Sequence, residues 1–219
     1  MRKKQFVVVG LGRFGQSLAE TLYAGGEDVL AIDLNQDLVE DVRDAVTHAV
    51  TADAMDRDVL IALGVRDFDV GVVTIGSDIR ASGMITMLMK ELGVRQVIAK
   101  AHDEVHGRML EKLGADKVIY PERDMGRRIA HNLVNGNIMD FIEVSPDYSM
   151  AEIQPLAEWC GKTLADLNLR ERLGGINVIA VRTGEHVNAM PGASTVLKRG
   201  DTMLVMAGED TLRKIRISR

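Results

Sequence analysis

A doubly wound α/β fold with a parallel sheet, followed by a small α+β domain, is the architecture this sequence predicts. Three observations predict it. Short Val- and Ile-rich runs alternate with amphipathic helical patterns over the first ~135 residues, as helix-covered parallel strands require. A G-x-G-x-x-G stretch leaves the first of those runs and opens the first helical pattern. After residue 137 the alternation stops and closely spaced strand-like segments take over.

The predicted strands of the first part are Phe6–Val9, Val29–Ile32, Thr47–Thr51, Val70–Ile75, Gln96–Ala101 and Lys117–Tyr120. Most are apolar on both faces, and Thr47–Thr51 is the more polar exception. Helical patterns fall at Phe14–Ala24, Gln36–Arg43, Met55–Leu63, Ile79–Leu92 and Glu104–Leu113, where Met84, Met87 and Leu88 illustrate the i, i+3, i+4 stripe. Pro121 is expected to end the sixth strand. A connector helix over 124–135 follows, with Met125, Ile129, Ala130 and Leu133 on one face, and Asn135-Gly136-Asn137 stops it. The second part reads as strands at Ile138–Val144, Ser149–Ile153, Asn177–Arg182, His186–Met190 and Thr202–Met206, with helix at Thr163–Arg170 and at the C-terminus. The chain is thus expected to divide into domains 1–137 and 138–219.

Composition narrows the class. The 219 residues carry a net charge of −5, 46% hydrophobic and 27% charged residues, and one cysteine, Cys160. That excludes a disulfide scaffold and fits a reducing compartment. No apolar run approaches the ~20 residues that span a bilayer, and no signal peptide is expected. The acidity gives no reason to expect nucleic acid as a partner.

The strongest motif is Phe6-Val-Val-Val-Gly10-Leu-Gly12-Arg13-Phe14-Gly15, followed by Asp33 at the end of the second strand. Gly10 suits the tight turn, Gly12 admits a phosphate to the backbone, and Gly15 lets helix and strand approach. The helix dipole favours the anion, and Asp33 accepts ribose hydroxyls while repelling a 2′-phosphate. The fingerprint specifies an adenosine-type ligand, not hydride transfer. An NAD-dependent oxidoreductase would need a catalytic acid/base pair that the short second part lacks, and an NAD(H)-sensing repressor would need a DNA-binding helical domain.

Together Val9–Gly15, Thr74-Ile-Gly-Ser-Asp-Ile-Arg-Ala-Ser82, Lys100-Ala101, Leu110-Glu-Lys-Leu-Gly-Ala-Asp116 and Tyr120-Pro-Glu-Arg-Asp-Met-Gly126 resemble the RCK family, also called KTN. The resemblance is nearest to cytosolic regulatory subunits of Ktr-type potassium transporters and covers nearly the whole chain. It implies a non-enzymatic gating protein that binds ATP or ADP. It also implies that Gly10, Gly12, Phe14 and Gly15 belong to the fingerprint site that the nucleotide occupies, while Asp33 and Asn35 hold the ribose, with Leu34 among the nucleotide-binding residues. Asp53, Ala54, Ile75, Gly76 and Ser77 would surround the adenine, with Lys100 and His106 close to the nucleotide. Arg13 would reach a neighbour's γ-phosphate, and Glu122 would help hold a Mg, Ca or Na ion bridging phosphates. NAD(H) is the alternative occupant. By the same resemblance the protein forms a homodimer building an octameric ring, cytoplasmic and peripheral on the inner face of the membrane, beneath a membrane pore subunit. Arg170, Ile176 and Asn177 resemble a cyclic di-AMP site, although Leu173-Gly174-Gly175 makes the preceding turn one residue longer.

Other features read more simply. Gly161-Lys162-Thr163 mimics a P-loop end, but position 156 is leucine where the first glycine belongs, so Thr163 is expected to cap a helix. His102 and His106 have zinc-like spacing, yet Asp103 stands where a metalloprotease glutamate would. The methionines, Trp159 and Cys160 read as packing residues. Arg123, Arg127 and Arg128 form a basic cluster on the connector.

Overall fold

The computed structural model describes residues 3–134, 138–145, 147–208, 210–212 and 215. Contacts divide the chain into two compact units, 1–122 and 123–219.

In the first unit, six strands alternate with helices: β1 (Gln5–Val9), α1 (Arg13–Ala24), β2 (Asp28–Asp33), α2 (Gln36–Val42), β3 (His48–Thr51), α3 (Arg57–Ala62), β4 (Val70–Val73), α4 (Ile79–Leu92), β5 (Gln96–Lys100), α5 (Glu104–Lys112) and β6 (Lys117–Ile119). The sheet order is β3-β2-β1-β4-β5-β6 and every neighbouring pair is parallel. This is the doubly wound order the alternation predicts. Because β1 pairs with β2 on one side and β4 on the other, the chain leaves them in opposite directions and opens a crevice at their C-terminal ends.

Both faces of this sheet are covered, which explains strands apolar on both sides. Val7, Val9, Ile32 and Val73 pack into one core with Leu60, Ile85, Met89 and Leu110, whereas Val8, Val29 and Ala31 face Leu11, Ala19, Val39 and Val42. Asp56, Asp78 and Asp103 cap α3, α4 and α5 by accepting backbone N–H bonds.

Helix α6 spans Pro121–Val134. Pro121 therefore opens a helix rather than only ending a strand, because its missing N–H costs nothing in the first turn. The expected stop at 135–137 lies outside the described residues.

The second unit contains an antiparallel sheet of β7 (Ile138–Ser145), β8 (Tyr148–Ile153), β9 (Asn177–Thr183), β10 (His186–Asn188) and β11 (Thr202–Gly208), ordered β10-β9-β11-β8-β7. Its core gathers Ile153, Trp159, Leu167, Ile176, Leu197, Met203 and Val205. The helix expected over Thr163–Arg170 is two, α7 (Leu164–Leu167) and α8 (Leu169–Arg172), broken where Asn168 takes φ +42°. Thr163 caps α7 in a reciprocal box with Asp166. At the C-terminal end, residues 210–212 and Ile215 are helical, with Leu212 and Ile215 buried.

Candidate functional site

A cavity of about 520 Å³ opens at the crevice between β1 and β4, within the usual size range for a small-molecule site. Its walls come from the C-terminal ends of the strands, where a doubly wound sheet places its ligand.

The glycine loop lies at its centre. Gly10 has φ +96°, a conformation that disfavours a side chain, and its N–H donates to the Ile32 carbonyl at 2.8 Å. A Cβ on Gly15 would fall on the Gly10 carbonyl oxygen, so this glycine is needed for packing. A Cβ on Gly12 would meet nothing within 4 Å, leaving open space beside the N-terminus of α1. Gly12 makes no side-chain cap, and its carbonyl accepts the N–H of Gln16 as the first helical bond. The first-turn N–H groups have no acceptor within the helix, an arrangement suited to an anion.

Asp33 joins this loop to the end of β2. Its Oδ2 accepts the Leu11 N–H at 2.5 Å and its Oδ1 accepts the Asn35 N–H at 2.8 Å. A carboxylate still has lone pairs for hydroxyl groups after those two bonds. Asn35 itself is occupied in capping α2, accepting from Asp37 at 2.9 Å. Beyond it lie Leu34, Asp53 and Ala54, with Asp53 turned onto the Met55 N–H at 2.9 Å. Ile75, Gly76 and Ser77 form the opposite wall. Thr74, buried at the base, donates its hydroxyl to the Gly10 carbonyl at 2.5 Å.

At the far end Lys100 pairs with Glu122 and sits 5.8 Å from the Phe14 ring centroid. The Lys100 hydrogen bond holds the Glu122 carboxyl below the ordinary range. One cation and one anion thus satisfy each other at the edge of a cavity that otherwise carries Asp33, Asp53 and Asp78.

The structure brings most of the expected residues together: Gly10, Gly12, Asp33, Leu34, Asp53, Ala54, Ile75, Gly76, Ser77, Lys100 and Glu122 all line the cavity. Arg13, Phe14, Gly15, Asn35 and His106 are not part of its lining. Arg13, the first residue of α1, is exposed. His106 is 2% exposed and lies behind the wall: its Nε2 is 2.7 Å from the Ser82 hydroxyl, and its Nδ1 accepts the His102 N–H at 3.2 Å. Both ring nitrogens are thereby used. His102 lines the cavity instead. His102 stands in the bend between β5 and α5, past the end of the strand, so strand periodicity gave no signal for it.

In the second unit Arg170, Ile176 and Asn177 line a hollow of about 400 Å³ with Asn168, Pro191 and Gly192. The turn before Ile176 places Gly174 and Gly175 at positive φ, with the Gly175 N–H returning to the Arg170 carbonyl at 2.8 Å. Among the described residues no helix is long and apolar enough to cross a membrane.

Comparison with known proteins shows what the two units are similar to. The TrkA-N domain matches residues 6–121 and the TrkA-C domain residues 149–216. Ktr system potassium uptake protein C of Bacillus subtilis is 42% identical over 93% of this chain and 92% of its own length. Ktr system potassium uptake protein A of the same organism is 35% identical over 98% and 96%. Among solved structures, the GsuK channel superposes over the whole chain and 39% of its own, with TM-score 0.70 and 19% identity, a likeness of fold.

Proposed function

This chain belongs to the TrkA-N and TrkA-C domain family, the RCK family, and from that premise we propose that it is a nucleotide-sensing regulatory subunit of a Ktr-type potassium transporter. The observation that carries the reading is a single cavity combining a side-chain-free helix N-terminus, a ribose-competent carboxylate and an apolar wall. On this reading residues 1–137 form the nucleotide domain and 138–219 the regulatory one.

The residues fit ATP or ADP. Asp53, Ala54 and the Ile75–Ser77 wall would receive the adenine, Asp33 the ribose, and Gly12 with the first turn of α1 the phosphates. Lys100 is the cation within the cavity for a terminal phosphate, and Arg13 is free to reach a neighbouring protomer's ligand. Glu122 would hold a Mg, Ca or Na ion once Lys100 releases it. No covalent step is involved: ligand binding biases one ring shape over another, and the pore follows.

Self-association, as a dimer building an octameric ring, is supported by α6, whose Met125, Ile129 and Leu133 are 48%, 50% and 80% exposed. These residues recur along one face, and an apolar stripe left uncovered within the protomer suits a partner. The partner below the membrane pore subunit is then a ring of these chains, cytoplasmic and peripheral. The second hollow, with Arg170 at its edge, suits an anionic dinucleotide such as cyclic di-AMP.

Calorimetric titration with ATP, ADP, NAD and NADH, with oligomeric mass recorded, tests the reading. Binding of ATP or ADP by an assembly larger than a dimer is expected. Tight binding of NADH alone to a dimer would support the NAD(H)-sensing alternative and sink the gating one.

A further inference from the structure

The Gly10–Leu11 peptide is gripped at both of its polar ends. Its N–H, carried by Leu11, donates to Asp33 Oδ2 at 2.5 Å, and its carbonyl, on Gly10, accepts the Thr74 hydroxyl at 2.5 Å. The second acceptor near that hydroxyl, the Val9 carbonyl, is 3.1 Å away. Thr74 has one proton to give, and the shorter contact to Gly10 takes it. Thr74 is 8% exposed, so the bond is shielded from water that would otherwise replace it.

This grip matters because Gly10 has no side chain to limit its backbone and sits at φ +96°. The tilt of the 10–11 peptide determines where the chain emerges at Gly12 and how the first-turn N–H groups of α1 are aimed. Asp33 holds one end from β2, and Thr74 holds the other from the end of β4, on the opposite side of β1. Space around the loop adds to the constraint: a Cβ on Gly15 would lie 2.6 Å from the Thr74 hydroxyl.

We propose that Thr74 is a positioning residue for the nucleotide phosphates: its hydroxyl fixes the Gly10–Leu11 peptide and so pre-aims the anion-binding N–H groups. The proposal rests on the nucleotide reading above and deepens it. Pre-aimed donors need no reorganisation when the ligand arrives, and this improves affinity only for the part of the ligand they touch. Thr74 should therefore matter for phosphate-bearing ligands and little for the nucleoside.

The test compares ADP, titrated by calorimetry, with adenosine, measured by competition, on the full chain and on Thr74→Val, Thr74→Ala and Thr74→Ser. Thr74→Val keeps the branched shape and removes the hydroxyl. It is expected to weaken ADP by about five- to tenfold while changing adenosine by less than about twofold. Thr74→Ser restores ADP affinity, and Thr74→Ala repeats the Val result should the Val chain fail to fold. An unchanged ADP affinity without the hydroxyl, equal losses for ADP and adenosine, or a serine variant as weak as valine would overturn the assignment. Failure of the wild-type chain to bind either ligand would instead remove the nucleotide reading, and this assignment with it.

Discussion

His106 and Ser82 form a buried bond between neighbouring helices, with 2.7 Å between the imidazole Nε2 and the hydroxyl. Since Nδ1 accepts a backbone N–H from His102, the neutral ring carries its proton on Nε2 and donates to Ser82, whose hydroxyl points to the Ile79 carbonyl at 3.2 Å. Burial lowers the His106 pKa below its ordinary 6.5, and nearby His102 acts in the same direction while Asp103 opposes it. In the unfolded chain the ring protonates near 6.5; in the folded chain it resists until lower pH. This contribution to stability is complete above 6.5 and is lost as pH falls from there through the folded value. Thermal midpoints measured from about pH 8 to about pH 5 should fall more steeply for the wild type than for His106→Gln. Equal slopes would refute it.

Two alanine substitutions in one loop should separate folding from binding. Gly15→Ala forces a methyl onto the Gly10 carbonyl and should destabilise the first unit by about 1–3 kcal/mol in chemical unfolding. Gly12→Ala has open space and an ordinary extended N-cap backbone, so stability should fall by no more than about 1 kcal/mol. Nucleotide affinity should nonetheless drop, because the methyl occupies the approach to the N–H groups. A Gly12→Ala chain that binds ADP normally contradicts the phosphate placement.

Arg13→Ala should discriminate between ligands. With Arg13 exposed at the start of α1, its removal should weaken ATP by about tenfold and ADP by less than about twofold. Equal losses in paired titrations would end the γ-phosphate assignment.

Glu122→Gln should free Lys100. Without divalent cations, ADP affinity should rise by about two- to fivefold, because the lysine no longer has a carboxylate partner to leave. Added Mg or Ca should then change affinity less than in the wild type. A variant that binds ADP more weakly without cations would show that Lys100 does not serve the phosphates.

Replacing the exposed Ile129 and Leu133 together by glutamate should lower the oligomeric mass in light scattering without lowering the thermal midpoint by more than a few degrees. An unchanged mass would place the assembly surface elsewhere.

Where a residue type answers a backbone need, the sequence announced it. Gly10 and Gly15 stand where a turn and a packing contact require no side chain, and Asp33 falls at the strand end. The histidine pair was harder. The spacing of His102 and His106 suggests one helix face, but α5 starts at Glu104: His102 lies in the bend before it and lines the cavity, while packing of α5 against α4 turns His106 inward to Ser82. Likewise the helical period of Met125, Ile129 and Leu133 identifies a face but not what covers it. The break at Asn168 was hidden because a non-glycine residue adopts the left-handed conformation there. Thr74 escaped notice since its acceptor is 64 positions away in the chain.

That separation has a kinetic consequence. Gly10 and Thr74 become neighbours only when β4 docks against β1, a closure that must wait for everything between them to be ordered or looped out. No nascent fragment ending before Thr74 contains both hydrogen bonds that hold the Gly10–Leu11 peptide. A nucleotide at this crevice should accordingly slow unfolding while leaving the folding rate almost untouched.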